Sequence, residues 1–406
     1  MNNKRDLIRR CMWSIFILLI VEVGRQLVIP VVDISSAEAL LQKNRALQFF
    51  GYATGGQMSV PTLFSLGIAP YMTSKILWSV FTMVNPEGTQ HLTERTSNVI
   101  QRCLTLAFAL AQALQMALMI QKTVKPVTII SQFDSLLILV FTLTAGAMLV
   151  VWLADVNTGR GIGGAVLLIV PTVVQNLPNM LENGPNSNDH FIFTPKSTAT
   201  LIASVIVFLI VAIFIYQAEL RIEVERTSII NSYGKSYIPV RLLPGGAMPF
   251  MFSISLFVLP TYLRHEGIGS YAVTNFIINQ LFSYHTYYGI AMYSLVVCIL
   301  GYGFGFVNFQ PSETARHLKE SGDYIYNVIP GRETEKYLTH KLLIMIFAGN
   351  CFLVAVTAIP LIIGLYVPGY GNLAFFFSGL FILVTILDNL FDQIRALYFK
   401  GQYDLI

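Results

Sequence analysis

Residues Gly159-Arg160-Gly161-Ile162-Gly163-Gly164 satisfy the spacing GxGxxG. In a dinucleotide site such glycines follow a strand and let a pyrophosphate approach a helix N-terminus. Here an apolar helical run precedes them, so the expectation is a tight turn that opens the next helix. Other chemistry-bearing residues are sparse. The six His are scattered, with no HxxxH. Cys11, Cys103, Cys298 and Cys351 stand far apart in apolar runs with no CxxC, which signals neither a disulfide scaffold nor a zinc or redox site. No nucleophile–base pair, GxSG-like motif, HExxH or Walker motif is present. Neither an enzyme nor a bound cofactor or metal is expected.

The elements that carry these residues are apolar. Of 406 residues 54% are hydrophobic and 12% charged, with mean hydropathy +0.63. A soluble domain carries about 25% charged residues, so a soluble globular protein is excluded. The net charge of +4, spread over this length, argues against a nucleic-acid partner. Ten continuous runs are long enough for membrane helices, which need about 20 residues each. They lie near 11–32, 60–84, 99–120, 133–154, 161–177, 198–218, 247–263, 286–307, 342–367 and 373–391. Their continuity excludes an alternating β-barrel pattern. Lys4, Arg5, Arg9 and Arg10 precede the first run like a signal-peptide start, but its length and the lack of a small-residue cleavage site suggest an uncleaved span. With the N-terminus inside, 18 of the 26 Lys and Arg fall on the inner side and 6 outside, which predicts two cytoplasmic termini. Five spans on each side of residue 190 allow two inverted halves, 1–190 and 191–406, with a path at their interface.

Within the spans, buried charge is costly and survives where it has a purpose. The acids Asp134, Asp155 and Asp388 sit at span ends, and Glu22 and Lys75 are the only deeper candidates. That scarcity weighs against an ion-coupled secondary transporter, the main competing reading. Gly301, Gly303 and Gly305 are expected to permit close helix packing. Gly67 and Pro70 interrupt the second run, which predicts a short half-helix near 58–66 and a spanning helix from about 70 to 84. Broken backbone at membrane depth suits a pore or plug. Two long polar segments, 219–241 and 308–341, lie on the cytoplasmic side. Residues 221–226 alternate as a strand does and Asn231–Gly234 supply turn chemistry, so the first segment is either a solvated loop or a docking hairpin.

Several segments, in order, resemble the SecY protein-translocase channel family. They are TGGQMSVPTLFS ending at Ser65, LGIAPYMTSKI (66–76), WLADVNTGRGIG (152–163), GGAMPFMF (245–252), NFQPSETARHLKESG (308–322) and LDNLFDQIRAL (387–397). The resemblance covers nearly the whole chain. It implies an all-α polytopic protein of ten transmembrane helices in two inverted five-helix halves, forming a clamshell around a pore that opens sideways to lipid. It also implies a pore ring that includes Ile68, Met72, Val166, Val170, Met251 and Ile386, apolar groups that seal around a chain without binding it. Residues 52–66 would be the plug, with Thr54, Gly55, Gly56, Met58, Val60, Pro61, Leu63 and Phe64. Gln112 would be a polar group at the lateral gate.

The resemblance further implies that the two cytoplasmic segments bind a SecA-type ATPase, through Arg221, Arg226, Lys235, Arg316, Lys319, Arg332 and Lys336. Small SecE-like and accessory membrane subunits and a preprotein complete the partner set. The sequence departs from the family where Ile329-Pro330-Gly331 replaces Arg-Pro-Gly, with Arg332 nearby. Lys75, the Met and Val members of the ring, a short first loop and a short tail depart as well. These departures resemble the accessory SecY paralogue of Gram-positive bacteria. That paralogue works in the plasma membrane with its own SecA paralogue and exports serine-rich glycosylated adhesins.

Overall fold

A computed structural model describes residues 2–30, 32–33, 36–37, 51, 56, 61–84, 93–123, 132–182, 195–225, 236–263, 280–367 and 369–403. A helix lies on each of the ten apolar runs. They are α1 (Asn2–Gln26), α2 (Ala69–Val84), α3 (Glu94–Met119), α4 (Gln132–Arg160), α5 (Val170–Glu182), α6 (Pro195–Gln217), α7 (Met248–Leu263), α8 (Tyr287–Phe309), α10 (Arg332–Tyr366) and α11 (Asn372–Tyr403), with α9 (Pro311–Ser321) between α8 and α10. Among the described residues seven segments are long and apolar enough to cross a membrane: α3, α4, α5 with the turn before it, α6, α8 with α9, α10 and α11. The other three have local reasons. Arg9, Arg10, Glu22 and Arg25 charge α1, and α2 and α7 have 16 residues each.

The chain divides into two compact units, Met1–His190 with Thr385–Ile406, and Phe191–Val384. In the second unit α8 packs on α10 through glycines. A β-carbon on Gly301 would overlap Asn350, and one on Gly305 would overlap Ile346. Gly303 faces open space, so its expected packing role is not found.

The polar segments are structured. Strand β1 (Glu219–Val224) pairs antiparallel with β2 (Ser236–Arg241), with Ile222 opposite Ile238. The expected strand is therefore found, and the expected turn at Asn231–Gly234 lies outside the described residues. The second segment, 308–341, is largely helical. Pro311 occupies the first turn of α9, where its missing N–H costs nothing, and Gly322 at φ 77° ends the helix. Helix α10 starts at Arg332, well before the predicted span at 342, with Glu333 and Glu335 favourable at its N-terminus.

Candidate functional site

The stretch expected as the plug is described at Gly56, Pro61, Leu63 and Phe64; Thr54, Gly55, Met58 and Val60 lie outside the described residues. The predicted half-helix near 58–66 is corrected for residues 61–66, which run beside the end of α1. Leu63 donates its N–H to the Leu27 carbonyl (2.9 Å) and Ile29 donates to that of Pro61 (3.4 Å), around an antiparallel bridge between Val28 and Thr62. An amide engaged across to another segment cannot close a helical turn. The chain then folds through tight turns, Ser65 to Thr62 (3.2 Å) and Gly67 to Phe64 (3.0 Å), with Gly67 at φ 55°. Phe64 is buried against Gly24, and Gly146 lets the Leu63 carbonyl approach where a β-carbon would block it. Gly56 is buried and donates to the Gly51 carbonyl (2.8 Å).

Four of the six expected ring residues are buried: Ile68 at 1% exposure, Met72 at 3%, Met251 at 2% and Ile386 at 4%. Ile68 and Met72 are one helical turn apart at the start of α2, where Met72 donates to the Ile68 carbonyl (3.0 Å). Val166 and Val170 are half-buried, the first in the 3-10 segment Gly164–Ile169 and the second at the first residue of α5. Ile68, Met72, Val166, Val170 and Ile386 belong to the first unit, Met251 to the second. Gly163 (φ 80°) and Gly164 (φ 55°), the residue before that 3-10 segment and its first residue, form the expected tight turn. Gln112, on α3, is half-buried with its Oε1 enclosed and without a hydrogen-bond partner among the described residues.

Five of the expected docking cations, Arg221, Arg316, Lys319, Arg332 and Lys336, lie on a body that sequence reasoning missed. Ile222, Val224 and Val240 of the hairpin, Ala315 and Leu318 of α9, Ile325, and Leu338, Leu342 and Ile346 of α10 form one buried cluster. Its signals were the β1 alternation and the four-residue spacing of 338, 342 and 346. Arg221 on β1 is exposed; it pairs with Glu219 (2.9 Å) and its guanidinium lies 4.9 Å from the Tyr237 ring. The hydrogen bond to Glu219 raises the Arg221 pKa above the ordinary guanidinium value, so its charge is permanent. Arg316 pairs with Glu320 (3.5 Å) and Lys336 with Glu333 (2.9 Å), while Lys319 and Arg332 are exposed; Arg226 and Lys235 lie outside the described residues. Tyr326 and Ile329 stand 78% and 73% exposed on the same segment.

The SecY family model matches residues 62–391. The chain belongs to the SecY family. It is 30% identical to the accessory Sec system protein translocase subunit SecY2 of Streptococcus salivarius, covering 98% of each chain. It is 28% identical to the SecY2 of Leuconostoc gelidum subsp. gasicomitatum, covering 100% of this chain and 98% of that one. A solved structure described as a protein conducting channel superposes with TM-score 0.64 at 16% identity, over 97% of this chain and 93% of that one. This SecY-family chain is thus a multi-pass membrane protein with the fold of a protein-translocation channel, similar over its full length to accessory SecY2 subunits.

Proposed function

We propose that this chain is the central channel subunit of an accessory Sec translocase in a bacterial plasma membrane, with both termini cytoplasmic. It passes preproteins outward, serine-rich glycosylated adhesins in the first place, and a SecA-type ATPase supplies the energy. The full-length likeness to the SecY2 subunits carries this reading. Ile68, Met72, Val166, Val170, Met251 and Ile386 form the apolar seal, residues 52–66 the plug, and Gln112 the polar element of the lateral gate. A narrow apolar constriction resists ions by dewetting yet offers a passing chain nothing to adhere to. Small SecE-like subunits complete the assembly.

The motor docks on the face built by the hairpin, α9 and the start of α10. Arg221, Arg226, Lys235, Arg316, Lys319, Arg332 and Lys336 steer it electrostatically. Exposed Ile329 in place of the family's Arg favours the accessory motor over the housekeeping one. The test is binding of both purified motors to the reconstituted channel. The accessory motor should bind more tightly, and charge reversal at Arg221, Arg226 and Lys235 should weaken it. Equal binding of both motors, or no effect of the reversal, would contradict the proposal.

A further inference from the structure

The 3-10 segment Gly164–Ile169 is six residues long, more than the three or four usual for this helix type. Pro171 supplies the reason. An α-helix through this point needs the N–H of residue 171 for the Leu167 carbonyl, and a 3-10 turn needs it for the Leu168 carbonyl; proline has none. Val170 serves the Leu167 carbonyl. Arg25 of α1 serves the Leu168 carbonyl, with Nη2 donating at 3.1 Å. Arg25 is 4% exposed. Its Nη1 lies 3.4 Å from Glu22 Oε2, and Glu22 Oε1 accepts from Gln175 Nε2 of α5 (2.9 Å). The buried charge is thereby neutralised, and the chain of bonds returns to the helix that Pro171 opens.

The other end of the segment is held by the same helix. Ser14 Oγ accepts from the Ile162 N–H (2.7 Å) and lies 2.9 Å from Asn157 Oδ1. Asn157 Nδ2 donates to the carbonyls of Ile162 (3.1 Å) and Gly164 (2.7 Å). Ser14 and Arg25 are eleven residues apart, about three helical turns, and so share one face of α1.

We infer that Arg25 is a positioning residue that replaces the backbone donor missing at Pro171, and that α1 splints the 3-10 segment so that Val166 and Val170 keep their places in the seal. The inference rests on the proposed ring reading, and its test separates the two. Resting ion conductance of the channel reconstituted in liposomes is measured for V166S, R25L, R25K, the swap E22R/R25E and the double variant R25L/P171A, with melting temperature alongside. V166S, R25L and the swap should leak severalfold more than the wild type. R25K, which still donates from a cation, should stay near the wild type. Restoring the missing N–H in R25L/P171A should recover the seal. If R25L aggregates, the rescue is read as recovered folded protein. Wild-type conductance in folded R25L with a leaky V166S, or no rescue by P171A, overturns the inference and leaves the ring standing. A tight V166S overturns the ring reading and the inference with it.

Discussion

Glu225 and Tyr324 exchange two backbone hydrogen bonds, Glu225 N–H to the Tyr324 carbonyl at 2.9 Å and the return bond at 3.1 Å. The residues are 99 positions apart, so this bridge joins the two polar segments into one body. Beneath it lies the cluster around Leu338, which is 0% exposed. The cations above therefore sit on a packed base, and a motor that docks on them meets a surface already formed.

Removing that base should cost both stability and docking. Leu338→Ala is expected to destabilise by about 2–5 kcal/mol through lost burial and the cavity left behind. It should also weaken motor binding although it removes no charge. Thermal unfolding and a binding isotherm on the same preparation check this. Unchanged binding by a destabilised variant would show that docking does not need the base.

Gly24 and Phe64 give a test of the plug. A β-carbon on Gly24 would overlap the Phe64 ring, so Gly24→Ala should displace Phe64, at a cost of about 1–3 kcal/mol from overpacking. If 61–66 belong to the plug, resting conductance should rise, and Phe64→Ala in the same chain should relieve the overlap and lower it again. A Gly24→Ala channel that stays tight would remove this contact from the seal.

Asn350 and Gly301 form a second fitted pair, on α10 and α8. Asn350 Nδ2 donates to the Cys298 carbonyl (3.1 Å), while its Oδ1 is enclosed beside Gly301 without a hydrogen-bond partner among the described residues. Gly301→Ala should destabilise the second unit. Asn350→Ala should cost less in that background than alone, with a coupling of about 0.5–3 kcal/mol in a double-mutant cycle on melting temperature. Additive effects would contradict the contact.

The helices were legible because apolar runs of this length have one stable solution in lipid. The strand was legible from the alternation over residues 221–226, while the choice between a solvated loop and a hairpin stayed open because the pairing partner at 236–241 carries no such signal. The predicted half-helix near 58–66 was misread over residues 61–66 because Gly67 and Pro70 announce a break without saying where the freed amides go; Leu63 donates to Leu27, a partner set by tertiary contact. The Ser14–Asn157 and Arg25–Leu168 contacts span 143 residues and leave no local periodicity. Gly303 was grouped with Gly301 and Gly305 because spacing alone cannot tell which of three glycines faces a neighbour.

The central claim is that a polypeptide passes the apolar ring. The most direct measurement is photocrosslinking from a stalled preprotein to probes placed singly at Ile68, Met72 and Val166, with a control probe at Phe214 of α6, which is 77% exposed. Adducts at the three ring positions and none at Phe214 are the expected result. Adducts at Phe214 alone, or none at the ring while translocation proceeds, would contradict the account.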